Sequence, residues 1–179
     1  MRRWSLALVP LWLAACPPSE PEPEHTGTPT ETGSTTDLVW TDDATGLTWE
    51  LEAAPPVDWA AAGSRCDGLT LAGHDDWRLP TISELRSLIV GCPATEVGGT
   101  CGVTDTCADG SSCRGDACGG CGYTPGSCYW PAGLTGDCAF TWSSTLDSND
   151  PDQAWGVGFD GAHVSQGLLV NSSSVRCVR

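Results

Sequence analysis

The chain has 179 residues, with 23 acidic side chains against eight basic ones, a net charge of −15, and all eight basic residues are arginines. Acidity on this scale excludes nucleic acid, and equally disfavours sulfated polysaccharides and anionic lipid surfaces, because those partners need clustered cations. Eleven cysteines in so short a chain point to an oxidising compartment, and the length suits one domain plus attachments.

Met1-Arg2-Arg3 is a short positive start, and Trp4 to Leu13 is apolar. That run is too short to span a bilayer, which takes about 20 helical residues, and is patterned as an export signal. Leu13-Ala14-Ala15-Cys16 fits a bacterial lipobox. Residues 1–15 are therefore expected to be removed and Cys16 to carry lipid, making the membrane a partner through that anchor. Pro17 stands where an aspartate would signal inner-membrane retention, so the expected destination is the outer membrane of the cell envelope. Pro17 to Thr36 holds five prolines, four glutamates and no aliphatic or aromatic side chain. Residues 16–36 thus read as a solvated tether, reaching roughly 60 Å at about 3.1 Å per residue.

A globular pattern begins at Asp37 and runs to Arg179. Leu38-Val39-Trp40 and Leu47-Thr48-Trp49 flank turn-forming residues and predict a hairpin that Pro55-Pro56 stops. Asp58 is placed to cap a helix to about Cys66, with Trp59, Ala62 and Cys66 along one face. Thr81-Ile82-Ser83-Glu84 is a capping box, followed by the apolar stripe Ile82, Leu85, Leu88 and Ile89 and ended by Gly91.

Residues 92–138 form a different material, with eight cysteines, eleven glycines and scarcely any aliphatic side chain. No hydrophobic core is expected there, so disulfides must hold its shape. The four pairs have 105 possible arrangements. Beyond it, Ala139 to Ser144 reads as a strand. Ala154 to Phe159 returns through Ala162 to Ser165 around Asp160-Gly161 as a hairpin, and Ser174 to Arg179 supplies a last strand. Helices on antiparallel strands make an α+β fold.

Four runs carry a resemblance: Thr45-Gly46-Leu47-Thr48-Trp49; Asp76-Trp77-Arg78-Leu79-Pro80-Thr81 with Glu84-Leu85; Trp142-Ser143-Ser144-Thr145; and Val175-Arg176-Cys177-Val178-Arg179. In this order they resemble the Lcl C-terminal domain family over about residues 37–179. The resemblance implies a C-type-lectin-like fold, distantly related to formylglycine-generating, sulfatase-modifying domains, with two helices on a small antiparallel sheet. It also implies a disulfide between the first helix and the last strand, where Cys66 and Cys177 stand. With Cys16 lipidated and that pair formed, the remaining eight cysteines all lie in 92–138. The insertion departs from the family pattern, and no function comes to it from the resemblance.

No His-Glu-x-x-His, Gly-x-Ser-x-Gly or phosphate-loop pattern occurs, so no catalytic residue and no cofactor is assigned. His74 and His163 are the domain's histidines, and a triad built on either would need geometry that sequence does not give. Cys118 and Cys121 stand in a Cys-Gly-Gly-Cys run read as structural disulfide cysteines rather than a redox pair. Asp147, Asn149, Asp150 and Asp152 offer calcium-type oxygens, yet they are also ordinary turn residues and the sugar-binding lectin signatures are missing, so no metal is assigned. Arg114-Gly115-Asp116 lies between cysteines, as in adhesive proteins that present this tripeptide to integrins, although a segment rich in glycine and aspartate produces it readily by chance. Tyr129 and Trp130 are the candidate ligand contacts, with a local hydrophobic plug as the competing role. The reading is a non-enzymatic binding or adhesion lipoprotein with a glycan or protein ligand. The alternatives are a degenerate sulfatase-modifying-like enzyme, a hydrolase, or a passive envelope component. The family's namesake is an adhesin associated with glycosaminoglycans, but a domain of −13, from nineteen acidic residues against six arginines over 37–179, repels sulfated chains.

Overall fold

A computed structural model describes residues 38–179. The export signal, Cys16 and the tether lie outside the described residues. The expected N-terminal hairpin is formed by β1 (Val39–Thr41) and β2 (Thr48–Glu50), paired antiparallel with Trp40 opposite Trp49. Asp42 sets its turn by accepting from the Ala44 amide and the Thr45 hydroxyl. The next strand, β3 (Ala54–Val57), contains the two prolines that the sequence reading took as a stop. They are tolerated because β3 is a sheet edge and its register shifts between Ala54 and Val57, so neither proline owes the ladder an amide.

Helix α1 (Trp59–Asp67) starts where Asp58 accepts from the Ala61 amide, and it buries Ala62 and Cys66. Helix α2 (Ile82–Ser87) has the full capping box between Thr81 and Glu84. It ends at Leu88, before Gly91, so Ile89 packs from the connection beyond it. Strands β4 (Phe140–Leu146), β5 (Gln153–Gly158), β6 (His163–Leu168) and β7 (Ser173–Val175) join β3 in a five-stranded sheet ordered β3-β7-β4-β5-β6. The α+β class stands, but the sheet is mixed because β7 runs parallel to β4. The β5–β6 turn has four residues, since Gly158 pairs with His163. Regular pairing in the last strand stops at Val175, and Val178 continues through single bridges to Trp49 and Arg78.

Both sheet faces are covered. On one, Ala54, Ala62, Cys66, Trp77, Trp142, Val175 and Cys177 pack beneath α1. On the other, Trp155, Val157 and Phe159 meet the Ile82, Leu85 and Leu88 stripe of α2. Glycine spacing in β5 and β6 serves the first face. A Cβ on Gly156 or Gly158 would strike the ring of Phe140 or His163, and one on Gly167 would lie 2.6 Å from Trp142. The three rings form a row, with Phe140 5.4 Å from Trp142 and 6.3 Å from His163 between centroids.

The cysteine-rich segment is not held by disulfides alone. Cys92, Cys101, Val103, Cys113, Cys118 and Leu134 are buried within the α2-side core. The segment lacks aliphatic residues for a core of its own and borrows that of the sheet. Its bonds are nested, Cys92–Cys121 enclosing Cys101–Cys118, which encloses Cys107–Cys113, with Cys128–Cys138 beside them. Two buried arginines fasten its ends. Arg86 donates to the carbonyls of Thr95, Glu96 and Val103. Arg176 donates to the carbonyls of Glu50, Leu51 and Thr135, each at 2.6 Å, and burial pushes its guanidinium down to about 10.

Cys66 and Cys177 are bonded across 111 residues of sequence. Closing a loop of that length stabilises a domain by about 4–5 kcal/mol in the chain-entropy account. Replacing both cysteines by serine is expected to lower the unfolding free energy by that order, read from urea or guanidinium midpoints at unchanged slope. Arg176→Met removes a charged donor from three carbonyls, of which Leu51 keeps the Thr135 amide and Thr135 keeps the Ala53 amide, and is expected to cost about 2 kcal/mol or more in the same measurement. Arg176→Lys restores little of that, because one ammonium cannot reach three separated acceptors.

Candidate functional site

The four sequence runs meet around the C-terminal segment, and their polar groups are committed to one another. The Thr48 amide donates to the Arg179 carbonyl at 3.0 Å and the Arg179 amide returns to Thr48 at 2.9 Å. Arg78 and Val178 exchange backbone bonds at 2.9 Å in both directions. The Arg78 guanidinium makes a two-pronged pair with Glu84, both bonds 2.6 Å, and Glu84 also accepts from the Thr81 amide to close the capping box. Pro80 offers its carbonyl to the Ser144 amide and hydroxyl, while the Ile82 amide donates to the Thr145 hydroxyl. Arg179 pairs with Asp76 and holds that carboxyl below the usual range. These contacts fasten β2, α2, β4 and the C-terminal segment together.

The comparison with known families agrees with this framework. The Lcl C-terminal domain matches residues 38–179, which includes all four runs. The chain belongs to the Lcl C-terminal domain family. Compared with curated proteins, it matches none. The polar groups of the four runs are committed to the closure, and the candidate site of this Lcl C-terminal domain must be sought among the groups the closure leaves over.

The sequence candidates are distributed over the surface. His74 lies 4.0 Å from Asp76, and His163 lies 3.7 Å from Asp160 while its ring ends the aromatic row. Among the described residues neither imidazole bonds a serine or threonine hydroxyl. Asp147 is 5 % exposed and accepts from the amides of Gly110 and Asn149 and from the side chain of Gln166. Asp150 accepts from the Asp152 amide and the Gln153 side chain. The acidic run is thus a loop whose carboxylates stitch β4, β5, β6 and the cysteine-rich segment together. Tyr129 and Trp130 are half-buried against the α2-side core, not a projecting platform. Trp130 leans on Phe159 at 5.3 Å, and the Arg176 guanidinium lies 4.7 Å over its ring. This is the plug role, strengthened by a cation–π contact.

Arg114-Gly115-Asp116 behaves differently. All three residues are exposed, and the loop is clamped at both ends by Cys107–Cys113 and Cys101–Cys118. Arg114, Gly115 and Asp116 line an open depression of about 350 Å³ with Gly110 and Gly119. Among the described residues Arg65 pairs with Glu50, Arg78 with Glu84 and Arg179 with Asp76, and Arg86 and Arg176 serve carbonyls. Arg114 alone has no hydrogen bond or ion pair there, in a chain without lysine. Gly115 has φ −115° and open space where a Cβ would stand, so the fold does not require glycine at that position.

Sequence reasoning missed the buried arginines. Their signal was available: Arg86 interrupts the apolar stripe of α2, and Arg176 sits between Val175 and Cys177.

Burial alone would raise the Glu84 carboxyl, but the bonds from Arg78 and the Thr81 amide outweigh it and hold it below 4.5. Its folded value being depressed, its stabilisation is fully present above pH 4.5 and is lost as pH falls through the lower folded value. Glu84→Gln is expected to lower the melting temperature at pH 7 and to flatten its decline below pH 4.5, followed by thermal denaturation across the acid range.

Proposed function

We propose that this Lcl C-terminal domain protein is a non-enzymatic binding and adhesion lipoprotein of the cell envelope. Lipid on Cys16 anchors it, residues 16–36 hold the domain off the membrane, and the cysteine-rich segment presents the recognition surface to a protein or glycan. The observation that carries this reading is the exposed, doubly clamped Arg114-Gly115-Asp116 loop, whose arginine the fold does not use. A rigid loop loses little conformational entropy on binding, and an uncommitted guanidinium offers a planar fork of donors. The lipobox spacing and the tether composition support the anchoring.

Cells displaying the full chain are expected to bind a panel of glycans and purified surface proteins selectively. Arg114→Ala is expected to weaken that binding about 10- to 100-fold, the worth of a charge-assisted hydrogen bond, at an unchanged melting temperature. Retention on heparin at moderate salt, or turnover of a screened substrate that His74→Ala or His163→Ala abolishes, overturns the reading. Incorporation of labelled palmitate, lost in Cys16→Ala, checks the anchor.

A further inference from the structure

A second surface feature lies away from the Arg114 loop, where β2, the edge strand β3 and the Gly136-Asp137 turn come together. They border an open groove of about 410 Å³ lined by Glu50, Glu52, Pro55, Arg65, Asp137 and Ser174 among others. Its lining has three carboxylates against the Arg65 guanidinium, and with the buried Arg176, whose charge Glu50 and Glu52 also feel, the balance is still negative. Arg65 is already paired with Glu50, its Nη1 lying 2.9 Å from the carboxylate. Glu52 and Asp137 are exposed. Among the described residues the Glu52 carboxylate has no partner, and Asp137 accepts only from the Ala139 amide. The turn is fixed in place: Gly136 has φ +104°, and a Cβ there would lie 2.8 Å from the Ala53 amide nitrogen.

The second observation is Ser174. It is 1 % exposed, lines the groove, and its hydroxyl has no hydrogen-bond partner. Strand alternation sets its direction. Val175 and Cys177 face the α1-side core, so Ser174 shares the opposite face with Arg176, whose guanidinium reaches the Thr135 carbonyl next to Gly136. A buried hydroxyl with no partner, in a groove that also holds two carboxylates free of ion pairs, leaves acceptor capacity that a ligand donor can use.

We propose that this groove binds a primary ammonium group, with Glu52 and Asp137 as charged acceptors, Ser174 as the neutral one and Pro55-Pro56 as an apolar wall for the alkyl chain. An ammonium has three donors and no acceptor, matching the set. The domain's −13 charge, nineteen acidic residues against six arginines over 37–179, draws cations toward it from a distance. The group comes from a lysine side chain of a peptide lying along β3 or from a free polyamine.

Calorimetric titration of the full chain with tri-lysine and with spermidine tests this at low and physiological salt. Saturable one-site binding is expected, tighter for tri-lysine if a peptide is the source and tighter for spermidine if a polyamine is. The paired change Glu52→Gln, Asp137→Asn is expected to weaken it at least about tenfold, and Ser174→Ala about threefold, with melting temperatures checked in each. Asp67→Asn with Asp75→Asn removes equal charge elsewhere and is expected to change affinity less than about twofold. Equal weakening by the two pairs reduces the effect to diffuse surface charge and overturns the site, as does the absence of saturable binding to the parent chain. Arg114→Ala leaves this binding unchanged, so its outcome is separate from that of the Arg114 loop.

Discussion

A buried guanidinium that feeds several backbone carbonyls is the interaction on which the rest of this structure depends. The segment from Cys92 to Cys138 forms no strand, and its one regular element is a 3₁₀ turn over Asp116–Gly119, so its carbonyls have few ladder partners. A buried carbonyl without a donor is costly, and one planar arginine supplies several donors at fixed angles. Arg86 does this at the beginning of the segment and Arg176 near its end. Each belongs to the sheet-and-helix framework, α2 in one case and the strand exit after β7 in the other. The insertion is thereby tied to the core at two points that no disulfide joins. The four bonds within 92–138 connect the segment only to itself.

The desolvation cost of burying two cations is met locally. Arg176 lies over the Trp130 ring, and the charges of Glu50 and Glu52 oppose the downward effect of burial on its guanidinium. Arg86 has only carbonyl partners, and burial lowers its affinity for the proton as well. Neither arginine forms an ion pair, which distinguishes them from Arg65, Arg78 and Arg179 at the closure of the chain ends. Cations in this acidic domain are therefore sorted by depth. The deepest ones satisfy backbone, the half-exposed ones satisfy carboxylates, and among the described residues the exposed Arg114 has neither kind of partner. The same sorting leaves Glu52 and Asp137 without an ion pair in the groove that Ser174 also lines.

Much of this was legible in the sequence because it is local. Asp58 caps α1 and Thr81 with Glu84 caps α2 through atoms three residues apart, so composition and spacing suffice to place both helices. The hairpins follow from turn residues between β-prone runs, and the boundary near residue 37 follows from where apolar side chains begin. The four runs pointed to the Lcl C-terminal domain family because their residues and their order are read directly along the chain.

What only the tertiary structure decided depends on side chains far apart in sequence. Pro55 and Pro56 read as a stop until β3 is seen at a sheet edge, where no neighbour needs their amides. Trp130 stays open between ligand contact and local plug until Arg176 and Phe159 are seen to cover it from 46 and 29 residues away. Whether Asp147 is a turn residue or a cation ligand cannot be read from its neighbours in sequence, and Gly110 and Gln166, from two other parts of the chain, take its oxygens. Disulfide connectivity and the parallel pairing of β4 with β7 are likewise contacts between distant segments. Sequence thus determined the family, the helix starts and the need for covalent cross-links, all properties of short windows or of composition. The tertiary structure decided which charges are consumed, because pairing depends on approach in space, and approach is what the chain acquires only on folding.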